Sequence, residues 1–219
     1  MNLENYYYYF RNGISPKLCD DIVKHFSSKL EPALVGTEPE LKKYKEADGK
    51  TRKEISKLIE KKRMSEVAFG DDRWIYKEIQ PFVVAANQKA NWNFEWDWTE
   101  QMQFTKYGLN QHYGWHCDSY DKPYGEEVPD GMQGKIRKLS ASVCLSNSED
   151  YEGGDLEFDF RNSQDYEFSK NKQSKTVCQE IKQKGSIVVF PSFLWHRITP
   201  VTKGTRYSLV MWNLGQPWR

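Results

Sequence analysis

"KGSIVVFPSFLWHRITPVTKGTRYSLVMWNLG", Lys184–Gly215, decides how the second half of this chain is read. Its segments "SIVVF", "HRITPV" and "RYSLVMWNL" are short and apolar or alternating, with turn-forming residues between them. That texture predicts antiparallel strands of a β-sandwich or barrel. In the last segment Arg206, Ser208, Val210 and Trp212 share one strand face, and Tyr207, Leu209, Met211 and Asn213 share the other. An arginine on the same side as an apolar and aromatic set is costly unless a fixed anion meets it. A guanidinium fork matches a carboxylate with two parallel hydrogen bonds.

Upstream, the same texture begins near Phe94 and runs through "EQMQFTKY", "YGWHCDS", "KLSASVCLS", "GDLEFDF" and "TVCQEIKQ". Before it the pattern is mainly helical, after a short strand at "YYYYF". Ser15 and Pro16 read as the cap and first residue of a helix with Leu18, Ile22, Val23 and Phe26 on its apolar stripe. A charged flank, 38–63, carries an excess of bases and reads as solvated, its second half helical through Ile55, Leu58 and Ile59. A further helix is expected around "DRWIYKEIQPFVVAANQKAN", with Trp74, Ile75, Ile79, Phe82 and Val83 inward and a kink or break at Pro81. Helices first and many short strands afterwards predict one α+β domain over 1–219, with 1–93 mainly as helical support and 94–219 as the β core.

The 219 residues suffice for a single well-packed domain, and the eight Trp and thirteen Tyr exceed what a disordered chain carries. A net charge of +1 provides no global field for nucleic acid or an anionic membrane. The stretch "MNLENYYYYFRNG" has no basic segment followed by an apolar core, and no run is long enough to span a bilayer. Cys19, Cys117, Cys144 and Cys178 are scattered with no CxxC pair, as expected of reduced cysteines. The expectation is a cytoplasmic protein.

Chemistry enters at "YGLNQHYGWHCD", Tyr107–Asp118, which gathers two of only four histidines and an aspartate. His116 and Asp118 project from the same strand face, and together offer two of the three ligands of a facial iron triad. His112 is on that face too, but about 13 Å away at roughly 3.3 Å per residue. His25 belongs to the helical pattern, so His196 is the best candidate for the third ligand. Tyr107 shares a face with Gln103 and Thr105, and its hydroxyl could add a hydrogen bond to the anion expected at Arg206. There is no HExxH and no cysteine cluster for zinc.

In order, "YGLNQHYGWHCD", "GGDLEFDF" and the opening stretch resemble the iron(II)/2-oxoglutarate-dependent dioxygenases, in their prolyl 4-hydroxylase-like branch, over roughly residues 100–215. The resemblance implies a double-stranded β-helix (jelly-roll) core buttressed by N-terminal helices. It implies His116, Asp118 and His196 as iron ligands and catalytic centre, with Arg206, helped by Tyr107, on the distal carboxylate of 2-oxoglutarate. Ser208 is a further candidate contact to the co-substrate, and Trp212 matches an aromatic residue lining the pocket. Cys144 stands where some relatives have a tyrosine that touches 2-oxoglutarate, a contact that Ser140 or Ser142 could supplement. Implied cofactors are Fe(II), 2-oxoglutarate and O2, with ascorbate as an accessory.

The reaction implied is hydroxylation of a C–H bond, with decarboxylation of 2-oxoglutarate to succinate. Prolyl residues of a peptide or protein are the leading substrate. The long polar loop "SYDKPYGEEVPDGMQGKIRK" reads as a lid, with Tyr120 and Tyr124 placed to stack on substrate. A free amino acid, another small metabolite or a lysyl side chain are alternative substrates. Nucleic acid is disfavoured for want of a basic groove outside 38–63. A non-catalytic jelly-roll binding module is the alternative of a different class, and the intact His/Asp/His/Arg set argues against it. A cupin would offer more histidines.

Overall fold

The computed structural model describes residues 3, 5–34, 38–119, 122–160 and 175–218. The chain enters through β1 (Tyr8–Phe10), α1 (Pro16–Phe26), β2 (Glu31–Pro32), α2 (Glu38–Glu46), α3 (Gly49–Lys62), β3 (Arg63–Met64), β4 (Glu66–Gly70) and α4 (Arg73–Lys89). The strands then follow in quick succession: β5 (Trp98–Thr99), β6 (Met102–Tyr107), β7 (His112–His116), β8 (Ile136–Cys144), β9 (Tyr151–Gly153) and β10 (Leu156–Asp159). The last five are β11 (Lys175–Val177), β12 (Ile187–Pro191), β13 (Trp195–Ile198), β14 (Val201–Gly204) and β15 (Arg206–Gly215). An eight-stranded sheet runs β1-β12-β8-β15-β6-β4-β2, with β5 paired to β15, and a five-stranded sheet runs β11-β10-β13-β7-β3. A separate ladder joins β14 to β9. All pairings are antiparallel, and the result is the α+β jelly roll expected from the sequence.

Strand alternation divides the core in two. On β8, Leu139, Ala141 and Val143 face the helices, as do Leu209 and Met211 on β15 and Met102 and Phe104 on β6. Against them pack Ile22 and Phe26 of α1 and Ile75, Ile79 and Val83 of α4, all fully buried. Each such side chain stabilises the fold by about 1.5–3 kcal/mol. The opposite face meets the smaller sheet through Tyr107, Cys144, Leu156, Phe158, Phe190 and Ile198. It also buries Arg206, Ser208, Ser140, Ser142, Gln103 and Thr105. A jelly roll whose interior carries this much polarity is built around something other than its own apolar side chains.

Several local expectations need correction. Residues 1–93 supply strands beside their helices: β1, β2 and β4 extend the large sheet and β3 the small one, where they satisfy edge N–H and C=O groups. Of the flank 38–63, α3 is capped by Asp48, which accepts a 3.0 Å bond from the Thr51 N–H, and α3 buries Ile59 while Leu58 stays exposed. The helix α4 continues through Pro81 without a break. Buried Ile79, Val83 and Ala86 on either side outweigh the roughly 3 kcal/mol that an interior proline costs. Trp74 is exposed, not inward, since the buried stripe starts one residue later at Ile75. "TVCQEIKQ" is only briefly a strand: after β11 it turns into a 3-10 segment, Gln179–Lys182, that buries Ile181. No helix among the described residues is long and apolar enough to cross a membrane.

Candidate metal centre and anion pocket

β13 pairs with β7 so that His196 lies directly opposite His116, and their rings come to 4.2 Å. Each ring's Nδ1 is fixed by the carbonyl two residues earlier, His116 by Gly114 at 2.8 Å and His196 by Leu194 at 2.9 Å. With Nδ1 donating to those carbonyls, both Nε2 lone pairs are left free to bind a cation. Asp118 follows β7, and its N–H donates to the Ser192 carbonyl at 2.9 Å. This places Oδ1 3.7 Å from His116 Nε2 and Oδ2 3.6 Å from His196 Nε2. Among the described residues, this trio is the group whose ligand atoms converge, all within 4.8 Å of one another. Two neutral imidazoles and one carboxylate on one side of an ion form the donor set that suits ferrous iron with open positions.

Electrostatics keep the donors in their binding forms. Burial, reinforced by the facing His196, pushes the His116 pKa down to about 3, so the ring is neutral. Burial alone would raise the Asp118 carboxyl, but His196, His116, Arg137 and the Ser140 hydroxyl outweigh it and hold Asp118 below the usual carboxylate range. Ser140 Oγ donates to Asp118 Oδ2 at 2.7 Å and lies 2.9 Å from Ser192 Oγ. Ser140 is therefore engaged with a candidate metal ligand, which corrects its reading as a supplement to the co-substrate. Outer contacts of this kind are typically worth about 10- to 100-fold in metal affinity. We expect Ser140→Ala to weaken ferrous-ion binding by that factor in an anaerobic titration, with the fold intact by circular dichroism.

The anion pocket lies deeper between the sheets. Arg206 is only 1% exposed and lies across from Tyr107, whose ring centre is 5.6 Å from the guanidinium. Its Nη1 donates to Ser208 Oγ at 3.3 Å, while Nη2 is buried with no acceptor among the described residues. An orphaned guanidinium nitrogen this deep fits an anionic group bound beside the trio. A cavity of about 40 Å³ extends from the trio to Tyr107 and Ser208, the neighbours of Arg206, with Ser142, Phe190 and Trp212 also in its wall. Cys144, on the same strand face as Ser140 and Ser142, turns its thiol to the Ser146 carbonyl at 3.4 Å.

Of the remaining expected residues, Trp212 is in the cavity wall, with the Arg137 guanidinium stacked 3.9 Å from its ring. Arg137 is paired with Glu100, Nε to Oε1 at 2.7 Å, and Tyr124 donates to the same oxygen at 2.9 Å. Tyr124 thus ties its loop to the Glu100–Arg137 pair and is not in the cavity wall. Tyr120 lies outside the described residues. His112 bonds to backbone carbonyls of Asn110 and Lys61, and His25 pairs with Asp72, both away from the trio.

Two neighbours escaped the sequence reading. Tyr113 stacks on His116 with ring centres 3.5 Å apart. Arg63 lies over Tyr113 at 4.5 Å, donates to Ser65 Oγ and Gln103 Oε1, and has a buried Nη2 with no acceptor. Nothing in the charged run around Arg63 marks it as the one base that turns inward.

Residues 102–213 match the model of the 2OG-Fe(II) oxygenase superfamily. The chain is 30% identical over 111 residues to a PKHD-type hydroxylase of Pseudoalteromonas atlantica, a match that takes in 50% of this chain and 41% of that protein. It therefore aligns with less than half the length of this curated relative. The fold is similar to that of the viral collagen prolyl hydroxylase vCPH from Paramecium bursaria Chlorella virus-1, with a TM-score of 0.59 and 19% identity over 97% of both chains. It is also similar to that of a Pseudomonas putida prolyl-4-hydroxylase, with a TM-score of 0.61 and 16% identity over 96% of this chain and 93% of that one. At these identities the structural likeness speaks to the fold.

Proposed function

The chain belongs to the 2OG-Fe(II) oxygenase superfamily, and from that premise we propose that it is a dioxygenase that hydroxylates prolyl residues of a peptide or protein. The observation that carries this reading is a cavity that holds the His116/Asp118/His196 donor set at one end and, at the other, Ser208 and Tyr107 in contact with the buried Arg206, whose Nη2 has no partner among the described residues. When bound, iron and 2-oxoglutarate supply the oxidising power, the keto acid leaving as succinate and carbon dioxide. His116 and His196 hold the metal through Nε2, and Ser140 keeps Asp118 aimed at it. Arg206, with Ser208 and Tyr107, receives the distal carboxylate of the keto acid. Phe190 and Trp212 keep water from the reacting centre, and Trp212 forms the wall nearest the loop carrying Tyr124. The prolyl substrate is supported by the kinds of hydroxylase that share this fold.

The test is to incubate the protein with ferrous ion, 2-oxoglutarate, ascorbate and proline-rich peptides. Peptide-dependent succinate release with gain of one oxygen atom on proline is expected. Tight binding of metal and keto acid, with no proline peptide stimulating succinate release, would refute the prolyl assignment.

One observation favours a second reading, a free amino acid or another small acid as substrate. Arg63 is a further buried guanidinium, stacked over the cavity-wall residue Tyr113 and with a donor unmet among the described residues, and an unpaired buried cation calls for an anion. On this reading Arg63→Leu raises the KM for the carboxylate-bearing substrate about 10- to 100-fold and leaves the 2-oxoglutarate KM unchanged. If KM for both rises together, Arg63 acts on the architecture rather than on the substrate.

A further inference from the structure

Tyr151 belongs to the small β9–β14 ladder, outside both main sheets, and neither its position nor its surroundings mark it as part of the centre. Yet it is 7% exposed, and the positive charge of the Arg206 guanidinium acts on its phenol against the effect of burial. The backbone is shaped to bring it there. Gly204 adopts φ +73°, and a side chain on it would run into the Asp150 carbonyl just before Tyr151. Gly154 adopts φ +59°, and a Cβ there would sit 3.0 Å from Arg206 Cδ and 3.7 Å from Tyr151 Cδ2. With glycine at both positions, β9 can close on the stem of Arg206.

The hydrogen bonding around Tyr151 is incomplete. A guanidinium only donates, so Arg206 can offer nothing to receive the proton of the phenol. Among the described residues, the hydrogen-bond partner of that hydroxyl is the Cys144 thiol, a weak acceptor 4.0 Å away. Burial raises the Tyr151 pKa to about 12, so the phenol keeps its proton at neutral pH. Among the described residues, Arg206 Nη2 thus meets no acceptor and the Tyr151 hydroxyl only a weak one.

We infer that Tyr151 is a 2-oxoglutarate-binding residue, whose hydroxyl donates to the same distal carboxylate that Arg206 receives. This rests on the function proposed above. One carboxylate accepts from both groups, which satisfies the phenol proton and Nη2 together.

The test compares two keto acids on the ferrous protein without oxygen: 2-oxoglutarate, and 2-oxovalerate, which has the same chelating end but no distal carboxylate. Binding is read by the visible metal-to-ligand band and by calorimetry. Tyr151→Phe, which keeps the ring, is expected to raise the Kd for 2-oxoglutarate about 10- to 100-fold. Its Kd for 2-oxovalerate should match wild type, which also reports that the variant is folded and holds metal. If Tyr151→Phe keeps the full wild-type preference for the diacid, or weakens both keto acids equally, Tyr151 does not touch the carboxylate and the inference falls alone. If wild type itself binds neither keto acid, or shows no preference that Arg206→Met removes, the proposed function falls and takes this inference with it.

Discussion

His196→Ala is expected to abolish turnover and to weaken ferrous-ion binding by more than about 100-fold, beyond what loss of an outer-shell contact costs. His116 and Asp118 lie two residues apart, at the end of β7 and just past it, so a local segment holds two donors however the sheet is assembled. His196 supplies the third only because β13 pairs with β7 in the register that sets it opposite His116. Removing its imidazole leaves one histidine and one carboxylate, which cannot define a facial site, and admits water where Phe190 and Phe158 now flank the ring. The fold should survive, since the ring makes a single hydrogen bond, to the carbonyl of Leu194. Anaerobic ferrous titration of wild type and variant, with circular dichroism as control, checks this. Wild-type affinity in the alanine variant would remove His196 from the ligand set.

The same residues show what a linear sequence reveals and what it conceals. Alternation in β15, β8 and β6 was legible because a strand's faces repeat every two residues, so the inward placement of Arg206, Ser208 and Trp212 could be read directly. Alternation gives the face and not the depth, however. It placed Ser140 correctly toward the interior but could not say that it would be taken up by Asp118. The pairing of His116 with His196 joins strands 80 residues apart, and no local pattern fixes such a register. Packing on both sides of Pro81 overrode a rule of local geometry. Tyr151 and Arg63 were missed for one shared reason: each lies in a stretch that reads as solvent-facing, a turn-rich run and a charged flank. In the case of Tyr151 the signal was present in the glycines of "YEGG" and "TKG", whose meaning depends on which strands they let approach.

Arg206→Met is expected to have opposite effects on stability and on co-substrate binding. The guanidinium is buried, bonded to the Ser208 hydroxyl, near that of Tyr151, and without a carboxylate partner among the described residues. A buried charge left uncompensated destabilises, and replacing buried ionic groups with apolar side chains of similar volume often stabilises by about 1–4 kcal/mol. Methionine fills much the same space along the Tyr107 ring, so the variant should melt several degrees higher than wild type, at about 2–4 °C per kcal/mol for a chain of this size. For 2-oxoglutarate the sign reverses. Loss of a bidentate, charge-assisted contact should raise its Kd about 100- to 1000-fold. Ligand binding adds stability in proportion to the logarithm of concentration over Kd, so saturating keto acid should lift the melting temperature of the ferrous wild type and leave the variant almost unmoved. The two melting curves therefore cross on titration of 2-oxoglutarate under anaerobic conditions. A variant that melts lower than wild type without ligand would show that the two hydroxyls and the Tyr107 ring already compensate the charge. The empty pocket would then be a stable resting structure rather than one held open at a cost that the keto acid relieves.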